Sequence, residues 1–285
     1  MNINEVRGLP VEERFLYWIK ERESIRKKKE GELARPWTDD EILHTYRFCN
    51  VRRMDDKVSK WLQNNWYTPY KDNYNMLYGV AIARFINLPK TLKQIESDIF
   101  KTNYINYEKL VEKIRNIKKK QGVIFNAAYV VRGNDGADKI ESVIIANVKP
   151  LQTKRVFIDT SSMYYTWKEL CNCFGFGSFM AGQVTADLRH ALTGEWKDKL
   201  SWAPEGPGSQ RGLQRLKKQP INAINRHWLK DFRSIILNGL ALNLPQEITG
   251  RLEAHDYQNC LCEFDKYERM LHGQGRPKQK YKRDK

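Results

Sequence analysis

Phe174-Gly175-Phe176-Gly177-Ser178-Phe179-Met180-Ala181-Gly182 lies between two apolar, helically spaced segments and decides how the chain is read. Two glycines two positions apart permit a tight turn. Small Ala181 and Gly182 just beyond it allow close packing of the helix that follows. The spacing therefore predicts a helix–turn–helix across 161–192, hinged at Gly175–Ser178. The backbone N–H groups that open the second helix point along its dipole and favour an anion. Gly175, Gly177 and Ser178 are accordingly candidate contacts to a phosphate. Gly-x-x-x-x-Gly-Lys-Ser/Thr is absent from the sequence, so the motif is not a nucleotide-binding P-loop.

Outward from this hairpin the periodicity is almost entirely helical. Helices are predicted from about Pro10 to Lys29, from Asp39 to Cys49 behind a Thr38/Glu41 capping box, and from Val51 to Asn64. Further helices are expected over 73–86, 89–100, 106–119, 140–148, 221–237 and 246–271. Gly194–Gly212, rich in Gly, Pro and Trp, reads as a patterned loop. The fold class is mainly α, with at most a short β element near 123–132. The expected organisation is an N-terminal helix and linker (1–36), a helical catalytic domain (37–272) containing the hairpin, and a basic disordered tail (273–285).

Lys plus Arg number 50 against 34 Asp plus Glu, a formal net charge of +16, which suits a polyanionic partner. No apolar run reaches the ~20 residues of a membrane helix, and Met1–Glu5 lacks a signal-peptide pattern, so no membrane partner is expected. The five cysteines include two Cys-x-Cys pairs, Cys171/Cys173 and Cys260/Cys262. Residues two apart on a helix point about 200° apart, so neither pair chelates easily. Reduced thiols, with no metal and no cofactor, are the expectation.

Three more constellations carry chemistry. On a helix, Asn50, Arg53 and Asp56 would share one face, presenting an amide, a guanidinium and a carboxylate together; an ordinary surface ion pair is the bland reading. In 198–212, Gly206 and Gly208 permit close backbone approach, Ser209 and Arg211 offer donors, and Trp202 could stack on an extruded base; a structural loop is the alternative. In 256–267, Cys260, Phe264, Tyr267 and Leu271 form an apolar stripe while Asn259, Glu263 and Lys266 line another face, as a site lining or as a buried ion-pair network.

Taken in order, Arg47–Asp56, Gly175–Asp187, Gly206–Gly212 and Gln258–Tyr267 resemble the phage-encoded α-glutamyl/putrescinyl thymidine pyrophosphorylases, also described as amino acid:DNA transferases or DNA base hypermodification proteins. The likeness runs from about Trp37 to Arg276. That family is similar to helix-hairpin-helix DNA glycosylases, and related helical domains accompany the kinase that phosphorylates 5-hydroxymethyluracil in DNA. The missing P-loop separates this chain from that kinase. The resemblance implies action on double-stranded phage DNA containing modified thymine, in the cytoplasm of the infected bacterium, with the 5-hydroxymethyluracil DNA kinase as a further partner. A 5-hydroxymethyl-deoxyuridine carrying pyrophosphate would lose it to a free amino acid or polyamine.

Glycosylase-like proteins place a catalytic Asp beyond the second hairpin helix. Asp198, 21 positions after Gly177, is the candidate there, with Asp187 as the alternative. The chemistry needs cations for the leaving pyrophosphate, for which Arg53, Arg211 and Lys266 are candidates, supported by Asn50, Asp56, Ser209 and Asn259. It also needs a carboxylate to take the amine's proton, Asp198 or else Glu263, a role worth about 10²–10⁴-fold. A glycosylase using Asp198 to stabilise an oxocarbenium ion, and a non-catalytic module that presents modified DNA, are the competing readings.

Overall fold

The computed structural model describes residues 1–126, 138–275 and 279–281. Eight helices of nine residues or more organise them: α1 (Val11–Glu30), α2 (Met76–Ile86), α3 (Pro89–Phe100), α4 (Tyr107–Gln121), α5 (Met163–Cys171), α6 (Ser178–Ala191), α7 (Pro207–Leu216) and α8 (Ala254–Leu271). Among the described residues there is no β-strand, only an isolated antiparallel bridge between Tyr46 and Lys280. The fold is mainly α. The β element expected near 123–132 falls largely on 127–137, outside the described residues. No described helix is long and apolar enough to cross a membrane. The chain forms two compact units, one from Met1–Asp56 with Leu200–Lys285 and the other from Lys57–Lys199.

In the first unit α8 is the spine. Cys260, Leu261, Phe264, Tyr267 and Leu271 are buried in a core that also takes Phe15, Trp18, Ile19 and Ile25 of α1. Phe15 meets Phe264 edge to face at 5.2 Å between ring centroids. Each such side chain contributes about 1.5–3 kcal/mol on burial. Against α8 lies α7, where a Cβ on Gly212 would come within 2.2 Å of the Leu261 carbonyl oxygen and one on Gly208 within 2.3 Å of Cys262 Sγ. The two glycines stand four apart and so share the face that touches α8. This corrects the sequence reading of 194–212 as one loop: Pro207 occupies the first turn of a ten-residue helix, and its glycines serve helix packing. Near the C-terminus, Gln279–Tyr281 pairs with 45–47 through Arg47 N–H to Gln279 O (3.2 Å) and Tyr281 N–H to Thr45 O (3.0 Å).

Several predicted helices are shorter than their spacing suggests: that expected over 51–64 becomes α-helical only at Lys57, and that expected over 221–237 only at Trp228. The one expected over 39–49 spans only Glu41–Thr45, capped by Asp40, whose carboxylate accepts from Ile42 N and Leu43 N. The one expected over 246–271 is interrupted: Gln246–Thr249 is a single turn, and α8 starts afresh behind a Glu253/Asp256 capping box.

In the second unit every residue of α2 is buried. Such a helix must satisfy its one charged residue internally, and Arg84 does so on Asp187 of α6, Nε to Oδ2 at 2.6 Å. Gly79 leaves room for the Phe100 ring, which would lie 2.5 Å from a Cβ. Helices α5 and α6 are joined by a turn in which Gly175 adopts φ +79°, a conformation costly for other residues. The Trp167 indole N–H closes the pair on Ser178 O at 3.0 Å.

Because backbone cannot yield as a flexible side chain can, Gly212→Ala is expected to lower unfolding free energy by about 1–3 kcal/mol in urea denaturation. Gly8→Ala, where a Cβ meets nothing within 4 Å, should stay within about 0.5 kcal/mol. Equal effects would contradict the packing role of Gly212.

Candidate functional site

Residues 47–56 do not form the helix that would align Asn50, Arg53 and Asp56. Their backbone polar groups are taken by side chains from distant elements. Arg22 of α1 donates to Phe48 O (3.3 Å), Cys49 O (3.1 Å) and Asn50 Oδ1 (2.8 Å). Glu263 of α8 accepts from Cys49 N at 3.0 Å, and Asp256 of α8 accepts from Arg53 N at 2.8 Å. Asp56 accepts from Asn50 N at 2.9 Å, and the Asn50 amide donates to Asp55 O at 2.8 Å. The segment is a polar loop with one short turn at Arg53–Asp55, and its own side chains help to hold it in shape.

This loop and α8 bring Asn50, Arg53, Asp56, Glu263 and Lys266 together. Lys266 Nζ donates to Arg47 O (2.7 Å) and Glu263 Oε2 (3.2 Å), and lies 4.4 Å from the Phe48 ring centroid. Asp56 is only partly exposed. Burial pushes its carboxyl up to about 6, aided by the charge of Glu263 and opposed by the Asn50 N–H and the Arg22 and Arg53 guanidinium groups. A carboxyl poised there exchanges a proton readily near neutral pH. The Cys49 thiol is raised well above its ordinary range by burial and by Glu263 and Asp56, and Cys262 is pushed up to about 11, again by burial first. Neither thiol is a ready nucleophile at neutral pH.

Other candidates have structural commitments. The Ser209 hydroxyl donates to Gly206 O (3.0 Å) and accepts from Gly206 N (3.1 Å) and Gln258 Nε2 (2.9 Å), closing the first turn of α7. Trp202 is buried and Asn259 is partly buried. Arg211 Nε donates to Asp265 at 2.8 Å.

The remaining candidates lie in the second unit. Asp198 sits at the N-terminus of α5, accepting from Met163 N (2.7 Å), Tyr164 N (2.9 Å) and Ser162 Oγ (2.9 Å). Its charge complements the dipole there. Asp187 is buried on Arg84. Gly175 and Gly177 are exposed and Ser178 is partly so. Gly177 caps α6 and no side chain does. Phe174 and Phe179 are exposed beside this turn.

Sequence reasoning missed Arg22, Asp256 and Asp265. Arg22 belongs to a basic-looking helix, and both aspartates read as ordinary helix polarity. The one available signal was that a helix with so complete an apolar stripe leaves little of its circumference for solvent.

A family model described as "5-hmdU DNA kinase, helical domain" matches residues 10–276. A 5-hmdU DNA kinase of Bacillus phage SP10 is 25% identical over 261 residues, covering 82% of this chain and 41% of the relative. The chain thus spans about two fifths of that protein's length. No solved structure matches the chain.

The raised Asp56 carboxyl fixes the sign of a pH effect. Its folded-state value lies above the ordinary 3.8, so the protonated form is favoured on folding. That contribution is complete below pH 3.8 and is lost as pH rises through about 6. Asp56→Asn, neutral throughout, should therefore gain melting temperature relative to wild type as pH rises across this window and hold that gain above it. A constant difference from acid to neutral pH would show that Asp56 titrates normally.

Proposed function

The chain belongs to the family of the 5-hmdU DNA kinase helical domain, and from that premise we propose that it is an enzyme of phage DNA base hypermodification. In this reading it transfers an amino acid or small amine onto 5-pyrophosphoryloxymethyl-deoxyuridine in DNA, in the cytoplasm of the infected bacterium, following the 5-hydroxymethyluracil kinase. The observation that carries it is the loop at 47–56 on α8: a proton-exchanging carboxyl, Asp56, near Arg22, Arg53 and Glu263, with Lys266 paired to Glu263.

The amine nitrogen attacks the methylene carbon, and the bond from that carbon to the pyrophosphate oxygen breaks. The proton shed by the resulting ammonium passes to the Asp56 carboxylate, and the bond's electron pair leaves with the pyrophosphate. Arg211 and Lys266 stabilise that anion, as fixed cations do for a departing phosphoryl group. Glu263 acts as a positioning residue, its Oε2 accepting from both Cys49 N–H and Lys266 Nζ. Asp198 and Asp187, with their donors already in place, hold the α5–α6 hairpin in shape. Gly175, Gly177 and Ser178 at its tip take a DNA phosphate at the start of α6.

A second reading has a specific basis: the match is to a helical domain and to two fifths of the kinase's length. The chain would then present modified DNA to another enzyme without acting on it.

Mass spectrometry of nucleosides decides between them. DNA carrying pyrophosphorylated 5-hydroxymethyluracil is incubated with the protein and a mixture of amino acids and polyamines, then digested. A new adduct formed with loss of pyrophosphate is expected, and Asp56→Asn should slow it by about 10²–10⁴-fold. Unchanged nucleosides on DNA that stays bound would favour the presenting module, and a missing base would indicate a glycosylase.

A further inference from the structure

Asp265, one turn along α8 from Leu261, is completely buried and is met by three arginines. Arg211 and Arg215 of α7 approach with Nε at 2.8 and 2.9 Å, and Arg269 of α8 with Nε at 3.4 Å. Arg211 and Arg215 stand four apart, as do Asp265 and Arg269, so helix geometry alone brings the groups together. The close α7–α8 approach permitted by Gly208 and Gly212 sets the remaining distance.

The charges here do not balance. Three guanidinium groups on one carboxylate leave two positive charges over. Nearby acids do not make up the difference. Glu268 is engaged by Arg14 through both oxygens at 2.8 Å, and Glu263 by Lys266. Arg215 also donates to the neutral Gln274 amide at 3.1 Å. A structural tie between α7 and α8 needs one arginine, and each further one adds like-charge repulsion. Each of the three meets Asp265 most closely through Nε, and a guanidinium carries further N–H donors on its terminal nitrogens. Those nitrogens are the atoms that grip an oxyanion in two-point fashion. Side chains of Arg211 and Arg269 are 32% and 39% exposed, so the anion can arrive from solvent.

We propose that Arg211, Arg215 and Arg269, oriented by Asp265, form a phosphate-binding site on the first unit. Two sources offer that chemistry: the backbone of the bound duplex and free pyrophosphate. The assignment to DNA rests on the reading of the chain as DNA-acting; the site itself rests on the charge imbalance.

The test uses the full chain and the Arg269→Gln variant, since Arg269 is the most exposed of the three. Binding to an unmodified labelled duplex is measured by fluorescence anisotropy over a potassium chloride series. Thermal melts with and without inorganic pyrophosphate are run in parallel. The expected result is weaker DNA binding by the variant, with a log–log salt slope shallower by about 1, partial recovery in Arg269→Lys, and an unaltered far-ultraviolet dichroism spectrum. Intact DNA binding with loss of pyrophosphate-induced stabilisation would keep the site and assign it to the free anion. If wild type binds DNA and Arg269→Gln matches it in affinity, slope and pyrophosphate response, the proposal is overturned. Failure of wild type to bind duplex at any salt, together with no response to pyrophosphate, would overturn the DNA-acting reading and the site alike.

Discussion

The first unit is organised by a charged helix buried on several sides. Alongside its apolar stripe, α8 carries Asp256, Asp265 and Glu268, all nearly inaccessible to water. A buried carboxylate costs several kcal/mol unless its oxygens are met by donors. Each one therefore dictates what lies beside it. Glu268 requires Arg14 of α1, and Asp265 requires the arginines of α7. Asp256 caps its own helix through Glu253 N and takes Arg53 N from the loop. Tyr267, between two of them, donates to Asp40 at 2.6 Å, which in turn starts the Glu41–Thr45 helix. Packing drives the burial, but hydrogen bonding to these few oxygens sets which elements can stand against α8.

That dependence explains which parts of the fold were legible in the sequence. Helices α1 and α8 follow from apolar spacing, because each buries its own stripe, and α2 from an apolar run buried on every side. The loop at 47–56 does not. Asn50, Arg53 and Asp56 have helical spacing, but Arg22, Glu263 and Asp256 take the carbonyls and N–H groups a local helix would have used. Those partners are 26 to 214 positions away in the chain, beyond any local pattern. Gly206–Gly212 erred in the other direction. Glycine in a Pro-rich stretch ordinarily signals a loop; here Gly208 and Gly212 are spaced for one helix face, and only a partner helix at close range distinguishes the two meanings.

The candidate chemistry moved for the same reason. Sequence distance from the hairpin favoured Asp198 and Asp187. Asp198 is engaged by three donors at the start of α5, and Asp187 lies on a buried guanidinium. Both carboxylates are occupied by the donors that hold their own elements. The Asp56 carboxyl is raised by burial more than its one N–H donor and its neighbouring guanidinium groups lower it. Identity and spacing alone do not single out Asp56; its burial does.

Charge balance offers a further way to separate structural clusters from functional ones in this protein. Around Asp55, three acids (Glu23, Glu30, Asp55) meet three arginines (Arg26, Arg52, Arg251). In the second unit Arg84 pairs with Asp187. Asp265 has three guanidinium groups to itself. In a chain with a net charge of +16, excess cations on a flexible surface are unremarkable, since water and counterions accommodate them. Excess cations oriented by a buried carboxylate on two packed helices are different. Their forks are pre-organised, so an arriving anion loses little to reorganisation, which is the condition under which arginine recognises phosphate with geometric specificity.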